Sequence, residues 1–481
     1  MEVAVRGERV DLAVIGSGGA AFSAAIRARN LGKSVVMIER STVGGTCVNI
    51  GCVPSKALIA AAAARHGAAD APGRFPGIST TAGPVDMPAL IQAKQSLVEG
   101  LRSDKYVDLA ASYDWPIRPG EASFAGTPDA PVLQVTGPDG DTALIEAEHY
   151  LIATGAQPWV PDLPGLDRVD YLTSTTAMDL PEVPESLLVL GGGYVALELA
   201  QLFARLGSAV TMLVRSRLAS AEEPEVDQIL GEVLAEEGIT VIRRAQITAL
   251  IQDEATGEVT AAATVAGGTA RYRAQRVLVA LGRRPVTETL NLDAVQVATG
   301  AGGQILVDDF LATSTPRIWA AGDVTGHPEF VYVAAQHGAM AVENAFTGAG
   351  RTVDYSHLPR VTFTSPAIGA AGLTEHQAVA AGYRCNCRVL PLQYVPRALV
   401  NRDTRGFIKV VIDDDTGRIL GLTALAQDAG ELAAAGVFLL DAGQTYQHVA
   451  GMWAPYLTMA EGIKLACQAF TTDPSQLSCC A

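Results

Sequence analysis

The chain has 481 residues, enough on a length prior for about three domains around a sizeable core. Asp and Glu outnumber Lys and Arg by 51 to 35, a net charge of −16, and no basic run tracks a phosphate backbone, so nucleic acid is excluded as an expected partner. The apolar run from Leu12 to Ile26 follows Glu8 and Asp11 and is broken by glycines, no uninterrupted stretch reads as a bilayer span, and the seven cysteines form no secreted disulfide framework; a soluble, cytoplasmic protein without a membrane partner and with reactive thiols is expected.

The first strand-glycine-helix unit runs from Val10 to Ile15, through Gly16-Ser17-Gly18-Gly19-Ala20 into an Ala-rich helix, then to a strand Val35–Ile38 ending at Glu39. Such glycines let backbone amides approach a pyrophosphate at a helix N-terminus, and an acid about 20 residues on can bind a ribose hydroxyl. Gly16, Gly18, Gly19, Ala20 and Glu39 are therefore candidate contacts for an adenine dinucleotide. Next comes Gly44-Gly45-Thr46-Cys47-Val48-Asn49-Ile50-Gly51-Cys52-Val53-Pro54, with Lys56 four residues after Cys52. A cysteine pair beside a dinucleotide domain can exchange two electrons with a flavin, and a helix N-terminus or a cation such as Lys56 raises its thiolate character. Residues 75–88 read as loop, and 89–109 has helical apolar spacing.

The second unit, Leu187–Leu190 followed by Gly191-Gly192-Gly193-Tyr194, leads through a helix to the strand Val210–Val214. Arg215 and Arg217 follow the ribose position, where basic side chains pair with a 2′-phosphate, so NADP(H) is expected over NAD(H). Ala280-Leu281-Gly282-Arg283-Arg284-Pro285 closes this unit. After Leu358 strands are expected at Val361–Thr364, Gly406–Ile412 and Ile419–Leu425, and helices at Glu431–Leu440 and Thr458–Phe470, which make a third, α+β domain. The chain ends Cys479-Cys480-Ala481. Adjacent cysteines make a poor structural disulfide and a good grip for a soft ion, so a thiophilic metal passed between two thiol pairs is the expected substrate.

The string Gly44–Lys56, together with Ala153-Thr154-Gly155 and Ala320-Ala321-Gly322-Asp323, resembles the motifs of the flavin-dependent pyridine nucleotide disulfide oxidoreductases, over essentially the whole chain. The resemblance implies an α/β protein with two Rossmann-like dinucleotide-binding domains, for FAD and NADPH, and a C-terminal α+β dimerisation domain. Expected boundaries are 1–157 for the first part of the FAD domain, 158–283 for the NADPH domain, 284–357 for a central segment completing the FAD domain, and 358–481 for the dimerisation domain with its Cys-Cys tail. By the same resemblance Cys47 is the outer, interchange thiol and Cys52 the inner thiol against the flavin. Lys56 and Glu198 would pair near flavin N5, Tyr194 would gate the nicotinamide pocket, and Asp323 would face the ribityl and phosphate region. Gly45, Thr46, Thr154, Gly155, Gly191, Gly193 and Gly282 complete the implied cofactor contacts.

Members that reduce disulfides carry a His-Pro motif with a nearby Glu, because a departing thiolate needs a proton from a general acid. The corresponding stretch here is Trp453-Ala454-Pro455-Tyr456-Leu457-Thr458, and the last histidine, His448, reads as an ordinary surface or core residue. The segments Val395–Leu399, Thr404–Lys409, Ala454–Leu465 and Gln476–Ala481 instead resemble the mercuric reductases. That resemblance implies the reaction Hg(II) + NADPH → Hg(0) + NADP⁺ + H⁺ in a homodimer with active sites at the subunit interface. Cys479 and Cys480 would collect thiol-bound mercuric ion and pass it to Cys47 and Cys52 of the partner subunit, with Tyr456 and Tyr106 lining the inner site; the four cysteines are the implied metal ligands. Many mercuric reductases carry a separate N-terminal metal-binding domain, whereas here the flavin domain begins almost at Met1, so delivery is expected directly or from another carrier. Cys385-Asn386-Cys387 and Cys467 are not carried over from the resemblance; Cys-x-Cys spacing can hold a metal transiently, but surface or packing roles are expected of them. Two rivals stay open: a disulfide reductase for an unusual low-molecular-weight thiol, and a metal-sequestering flavoprotein.

Overall fold

The computed structural model describes residues 8–476, so Cys479 and Cys480 lie outside the described residues. Two compact units are present: residues up to Ala57 with Pro88–Trp159 and Gly282–Val353, and Leu58–Met87 with Val160–Leu281 and the chain from Asp354 onward.

In the first unit, β1 (Glu8–Ile15), α1 (Gly19–Asn30) and β2 (Val35–Glu39) form a βαβ unit. The residues Leu12 to Ile15 and Val35 to Ile38 are buried, as a central parallel strand covered on both faces requires. The cysteine segment follows as α2 (Gly45–Ile50) and α3 (Cys52–Arg74), of which only the part through Ala57 belongs to this unit. Then come α4 (Met87–Arg102), a π-helical turn (Ser103–Val107) and α5 (Asp108–Ser112), where the sequence had suggested one continuous helix. The strands β3 (Ile117–Pro119), β4 (Glu121–Thr127), β5 (Ala130–Thr136) and β6 (Thr142–Ile152) complete a sheet ordered β3-β2-β1-β6-β5-β4, to which a later strand, Ile318–Ala320, adds parallel to β6. Apolar clusters cover both faces, one built on Ile15, Ile38, Phe124 and Tyr150, the other on Leu12, Met37, Phe22 and Leu151.

The short strand β7 (Ala156–Pro158) leads into the second unit, which opens with β8 (Tyr171–Leu172), α6 (Ser174–Ala177), β9 (Ser186–Leu190), α7 (Tyr194–Leu206), β10 (Ala209–Val214), α8 (Pro224–Glu236) and β11 (Thr240–Arg243). An antiparallel meander, β12 (Gln246–Gln252), β13 (Val259–Val265) and β14 (Gly268–Ala274), precedes β15 (Arg276–Val279). The parallel sheet is ordered β11-β10-β9-β15-β8. The chain returns to the first unit for β16 (Arg283–Pro285), which pairs antiparallel with β7, for β17 (Ile318–Ala320) and for α9 (Val331–Thr347). The helices α1 and α9 pack so closely that a Cβ on Gly338 would lie 2.0 Å from the Ala20 carbonyl oxygen.

The C-terminal part of the second unit is an antiparallel sheet, β18-β19-β22-β21-β20, with β18 at Pro359–Thr362, β19 at Ala367–Gly372, β20 at Cys385–Pro391, β21 at Phe407–Asp413 and β22 at Ile419–Ala426. Its helices are α10 (Glu375–Ala380), α11 (Pro396–Val400), α12 (Ala429–Asp441), α13 (Tyr446–Gly451) and α14 (Glu461–Gln468). The first expected strand begins and ends two residues earlier than its spacing suggested, and the last expected helix is trimmed at both ends to Glu461–Gln468; at its start the Thr458 hydroxyl lies outside the helix and accepts the Glu461 N–H at 3.3 Å.

One helical run, Gly45–Arg74, is long and apolar enough by length and composition to cross a membrane, contrary to the reading that no stretch was. Its length comes from the alanines after Leu58, and beyond them Arg65 donates to the Arg205 carbonyl oxygen near the end of α7 at 2.6 Å.

Candidate active site

The first nucleotide turn is held open for a ligand by its backbone. Gly16 has φ +105, and a Cβ there would meet the Ala153 carbonyl oxygen at 2.4 Å, so only glycine lets β1 and the segment after β6 approach this closely. Gly18 caps α1 without a side-chain hydrogen bond, and the first turn, beginning Gly19-Ala20, contains no acid, which leaves its amides and dipole to an anion. Glu39 ends β2 nearly buried: the Ser17 hydroxyl donates to Oε2 at 2.6 Å, and the Ser41 N–H and hydroxyl donate to Oε1 at 2.8 and 3.0 Å. Ser17 in turn accepts the Gly44 N–H at 3.0 Å, which ties the cysteine segment to the ribose position. A cavity of about 70 Å³ is lined by Gly16, Glu39, Gly120 and Thr154. Thr154 spends its hydroxyl on the Val286 carbonyl oxygen at 2.6 Å, and the Gly155 carbonyl oxygen accepts the Val286 N–H, so these two join the ends of the first unit. Asp323 opens the short turn after β17; burial pushes its carboxyl up, and the Arg283 charge opposes that. These residues fit FAD: unclaimed amides for the pyrophosphate and a clamped acid for the ribose.

The thiol pair lies directly on that turn. A Cβ on Gly45 would come within 2.5 Å of Gly18 Cα, so α2, carrying Thr46 and Cys47, abuts the nucleotide turn. Cys47 is half-buried and Cys52 exposed, and neither is in a disulfide. The hydrogen bond with Cys52, and then burial, push the Cys47 thiol well above the usual thiol range, while the Lys56 charge pulls the other way. Cys52 is the first residue of α3, whose first turn has no acid, a setting that favours thiolate. Tyr106, on the π-helical turn, packs edge-on to Phe22 with centroids 4.8 Å apart. Burial raises its phenol, and the charges of Cys47 and Cys52 raise it further, which places the hydroxyl in the field of both sulfurs. A π turn inside a helix is a frequent mark of a functional position.

In the second unit Gly191 has φ +129, and a Cβ there would meet the Ala280 carbonyl oxygen at 2.2 Å. Gly193 caps α7 without a side-chain bond, no acid lies in the first turn, and Tyr194 at its start is exposed, so this helix end too can take a phosphate. Arg215 is exposed just past β10. Arg217 is partly committed to its own loop, donating through Nη2 to the Ser220 and Glu222 carbonyl oxygens at 2.7 and 2.9 Å. Its buried Nη1 has no hydrogen-bond partner among the described residues. Glu198 is buried on α7, its Oε1 accepting the Phe363 N–H at 2.9 Å. Gly282 falls in the first unit, where its carbonyl oxygen accepts the Trp159 N–H at 2.9 Å. Tyr456 is exposed between α13 and α14, near the fully exposed Trp453, and His448 is exposed at the start of α13. Cys467 is wholly buried among Ile408, Val395 and Met459, with its thiol pushed up to about 12 by burial, an inert packing residue.

Sequence reasoning missed Ser17 and Ser41, the two hydroxyls that clamp Glu39, although Ser17 stands inside the glycine turn. It also missed His337, buried on α9, whose Nδ1 accepts the Gly322 N–H at 3.3 Å and whose pKa burial, aided by His327, pushes down to about 4.

The model of the pyridine nucleotide-disulphide oxidoreductase family matches residues 10–338, and that of the family's dimerisation domain matches residues 358–467. The chain is 57% identical over 472 residues to a mercuric reductase of Streptomyces lividans, covering 98% of each chain. It is 46% identical to a mercuric reductase of Staphylococcus aureus, over 98% of this chain and 84% of the relative. Among solved structures, the flavoprotein disulfide reductase RclA from Escherichia coli, in a Cu(II) complex, superposes with a TM-score of 0.85 at 29% identity, over 96% of this chain and 99% of that one. LpdA from Mycobacterium tuberculosis gives a TM-score of 0.86 at 26% identity, over 97% and 100%.

Proposed function

Since the chain belongs to the mercuric reductases of the pyridine nucleotide-disulphide oxidoreductase family, we propose that it is a homodimeric, FAD-dependent enzyme that uses NADPH to reduce Hg(II) to volatile Hg(0), serving mercury detoxification. The observation that carries the site is the juxtaposition of the Cys47 and Cys52 thiols, the Tyr106 phenol and the nucleotide turn at Gly18.

FAD, when bound, relays two electrons from NADPH to the metal. The protein's own residues hold the ion. A mercury–thiolate bond is too strong for simple dissociation, so Hg(II) moves by exchange: each protein thiol displaces a small thiol, and its proton leaves on that thiol. No general acid is needed for such a leaving group, which is why the exposed His448 has no part in this reading. Tyr106 closes one side of the two-sulfur station and excludes water there. Lys56, four residues after Cys52, would supply a positive charge near the thiol pair, and Tyr194, exposed at the start of α7, would cover the nicotinamide when NADPH binds. Reactive thiols of this kind work in a reducing compartment, which favours the cytoplasm.

Anaerobic titration with NADPH should bleach the flavin, and Hg(II) with excess thiol should then restore its colour while Hg(0) is released. Turnover of glutathione disulfide or lipoamide without volatile mercury would favour the disulfide-reductase rival, and a flavin that NADPH does not bleach would favour a sequestering protein.

Arg215 is the exposed cation of the second site, so Arg215→Gln should lower the preference for NADPH over NADH by roughly tenfold, the scale of one solvent-exposed charge-assisted hydrogen bond. The added change Arg217→Gln should have a smaller effect on preference, because that guanidinium already donates twice to its own loop. An unchanged ratio of NADPH to NADH turnover in the double variant would refute the assignment.

The dimer supplies the finer part of this reading: the tail thiols Cys479 and Cys480 serve Cys47 and Cys52 of the partner subunit. Exposed apolar side chains in the C-terminal part of the second unit, among them Leu399, Val400, Phe438 and Trp453, support a subunit interface there. In a hybrid dimer, one subunit carries Cys47→Ala with a normal tail, and the other an intact Cys47–Cys52 pair with Cys479→Ala and Cys480→Ala. Two-fold symmetry then allows one complete site, so about half of wild-type turnover of thiol-bound Hg(II) should return although both parents are nearly inactive. Activity no better than the parents, with mixed dimers verified by mass spectrometry, would rule out delivery across the interface.

A further inference from the structure

A second pair of thiols stands apart from the redox pair. Cys385 and Cys387 lie on β20, the edge strand of the C-terminal sheet, where the two-residue period puts both side chains on one face. The Cys387 thiol donates to Glu375 Oε2 at 3.2 Å, and the Cys385 thiol to the Glu375 carbonyl oxygen at 3.9 Å. Both sulfurs thus converge on the first residue of α10, and both are only half-buried. Beneath them Lys409 Nζ contacts Glu223 Oε2 at 3.0 Å, Glu225 Oε1 at 2.9 Å and Glu375 Oε2 at 2.8 Å. One ammonium faces three carboxylates, and Glu225 Oε2 is buried with no hydrogen-bond partner among the described residues. The neighbourhood is therefore short of positive charge.

We infer that Cys385 and Cys387 form an auxiliary station for a soft, two-coordinate cation, Hg(II), on the second unit. The inference rests on the proposed function only for which ion the protein meets. Among the described residues no group of three His, Cys, Asp or Glu side chains is arranged to hold a metal ion, which excludes a hard, many-coordinate ion but not one satisfied by two sulfurs. Strand geometry separates the two Cα atoms by about 6.6 Å, near the far limit for an unstrained disulfide, whereas an ion between the sulfurs adds the length that a direct bond lacks. Burial, and then the Glu375 hydrogen bond, push the Cys387 thiol up to about 11, which keeps it protonated and resistant to oxidation until a thiophilic ion displaces the proton.

The loading step is an exchange: RS–Hg–SR plus the Cys385 and Cys387 thiols gives the Cys385–S–Hg–S–Cys387 bridge plus two RSH. Two Hg–S bonds form and two break, each protein proton leaves on a departing small thiol, and no electrons move. Cys467 has no part in it, because its sulfur is wholly enclosed by the core.

The test uses the full-length, FAD-loaded protein with Cys47, Cys52, Cys479 and Cys480 all changed to Ser, and Hg(II) supplied as its bis-cysteine complex. After desalting, one mercury per chain should remain and two thiols should be lost to a disulfide reagent; adding C385S and C387S should abolish retention. X-ray absorption on the mercury-loaded parent should show two sulfur ligands. That measurement also decides the case if the added substitutions prevent folding. No retained mercury, retention unaffected by C385S and C387S, or a single sulfur at the metal would each overturn the station. Hg(0) release by the wild type, measured separately, keeps the two readings distinguishable. An active wild type whose quadruple variant holds no mercury defeats the station alone, and a mercury-loaded quadruple variant with an inactive wild type defeats the reductase reading alone.

Discussion

Changing Cys52 to Ala should abolish Hg(II) reduction, by on the order of a thousandfold or more, while NADPH still reduces the flavin; Cys47→Ala should do the same. Both losses follow from a two-sulfur station: a single thiolate leaves Hg(II) bound to a small thiol that can carry it away. The two variants should differ in colour. Cys52 starts α3, where the helix dipole favours its thiolate, whereas Cys47 is half-buried and its proton is held by the hydrogen bond with Cys52. If Cys52 is the thiol that faces the flavin, as proposed, removing Cys47 would leave its thiolate there, and Cys47→Ala should show a long-wavelength thiolate–flavin charge-transfer band without prior reduction. Cys52→Ala should lack it. The opposite pattern would mean that the two sulfurs have exchanged roles. Wild-type rates in either variant would remove the pair from catalysis altogether.

Lys409→Met should destabilise the fold by about 3–5 kcal/mol, the usual cost of stranding a buried charge when its partner is deleted. Lys409 and Glu223 are each only 1% exposed, and the ammonium also bonds Glu225 and Glu375. Burial by itself would lower the Lys409 pKa; hydrogen bonds to Glu375, Glu225 and Glu223 outweigh it and hold the pKa above its ordinary value. For a raised lysine the stabilisation is complete below the unfolded-state pKa and is lost as pH climbs through the folded one. Glu375 shows the converse: its hydrogen bonds from Lys409 and Cys387 lower its pKa, so its contribution is present above the unfolded-state value and lost on acidification. The cluster's contribution should accordingly be flat between about pH 5 and 10 and fall outside that window. Thermal unfolding of the FAD-loaded protein would read this as a lower midpoint for Lys409→Met. The double change with Glu223→Gln should recover part of the loss, since it removes the most deeply buried stranded carboxylate. A midpoint unmoved by Lys409→Met would show that the cluster is solvated and contributes nothing.

The sequence by itself determined the parts governed by local rules. The β1–α1 and β9–α7 turns were legible because a pyrophosphate-binding turn needs glycine at fixed offsets from a buried strand, and Gly16 and Gly191 adopt the positive φ that such a turn requires. The pair Cys47 and Cys52 was legible from a string of neighbouring residues, and the C-terminal strands β21 and β22 from their continuous apolar runs. The tertiary structure alone decided how residues far apart in the chain are used. Nothing near Arg217 in sequence announces that it donates back to its own loop, nothing near Glu39 that Ser17 and Ser41 bond both its oxygens, and nothing near Cys387 that it meets Glu375 above a buried Lys409. Tyr106 was suspected, but its place between the thiols and Phe22 depends on a π turn that apolar periodicity reads as plain helix. The physical reason is the same in each case: glycine turns and strand patterns follow from sterics and burial over a few residues. Hydrogen-bond partners and electrostatic fields instead depend on distances that exist only once strands separated by tens to hundreds of residues have packed.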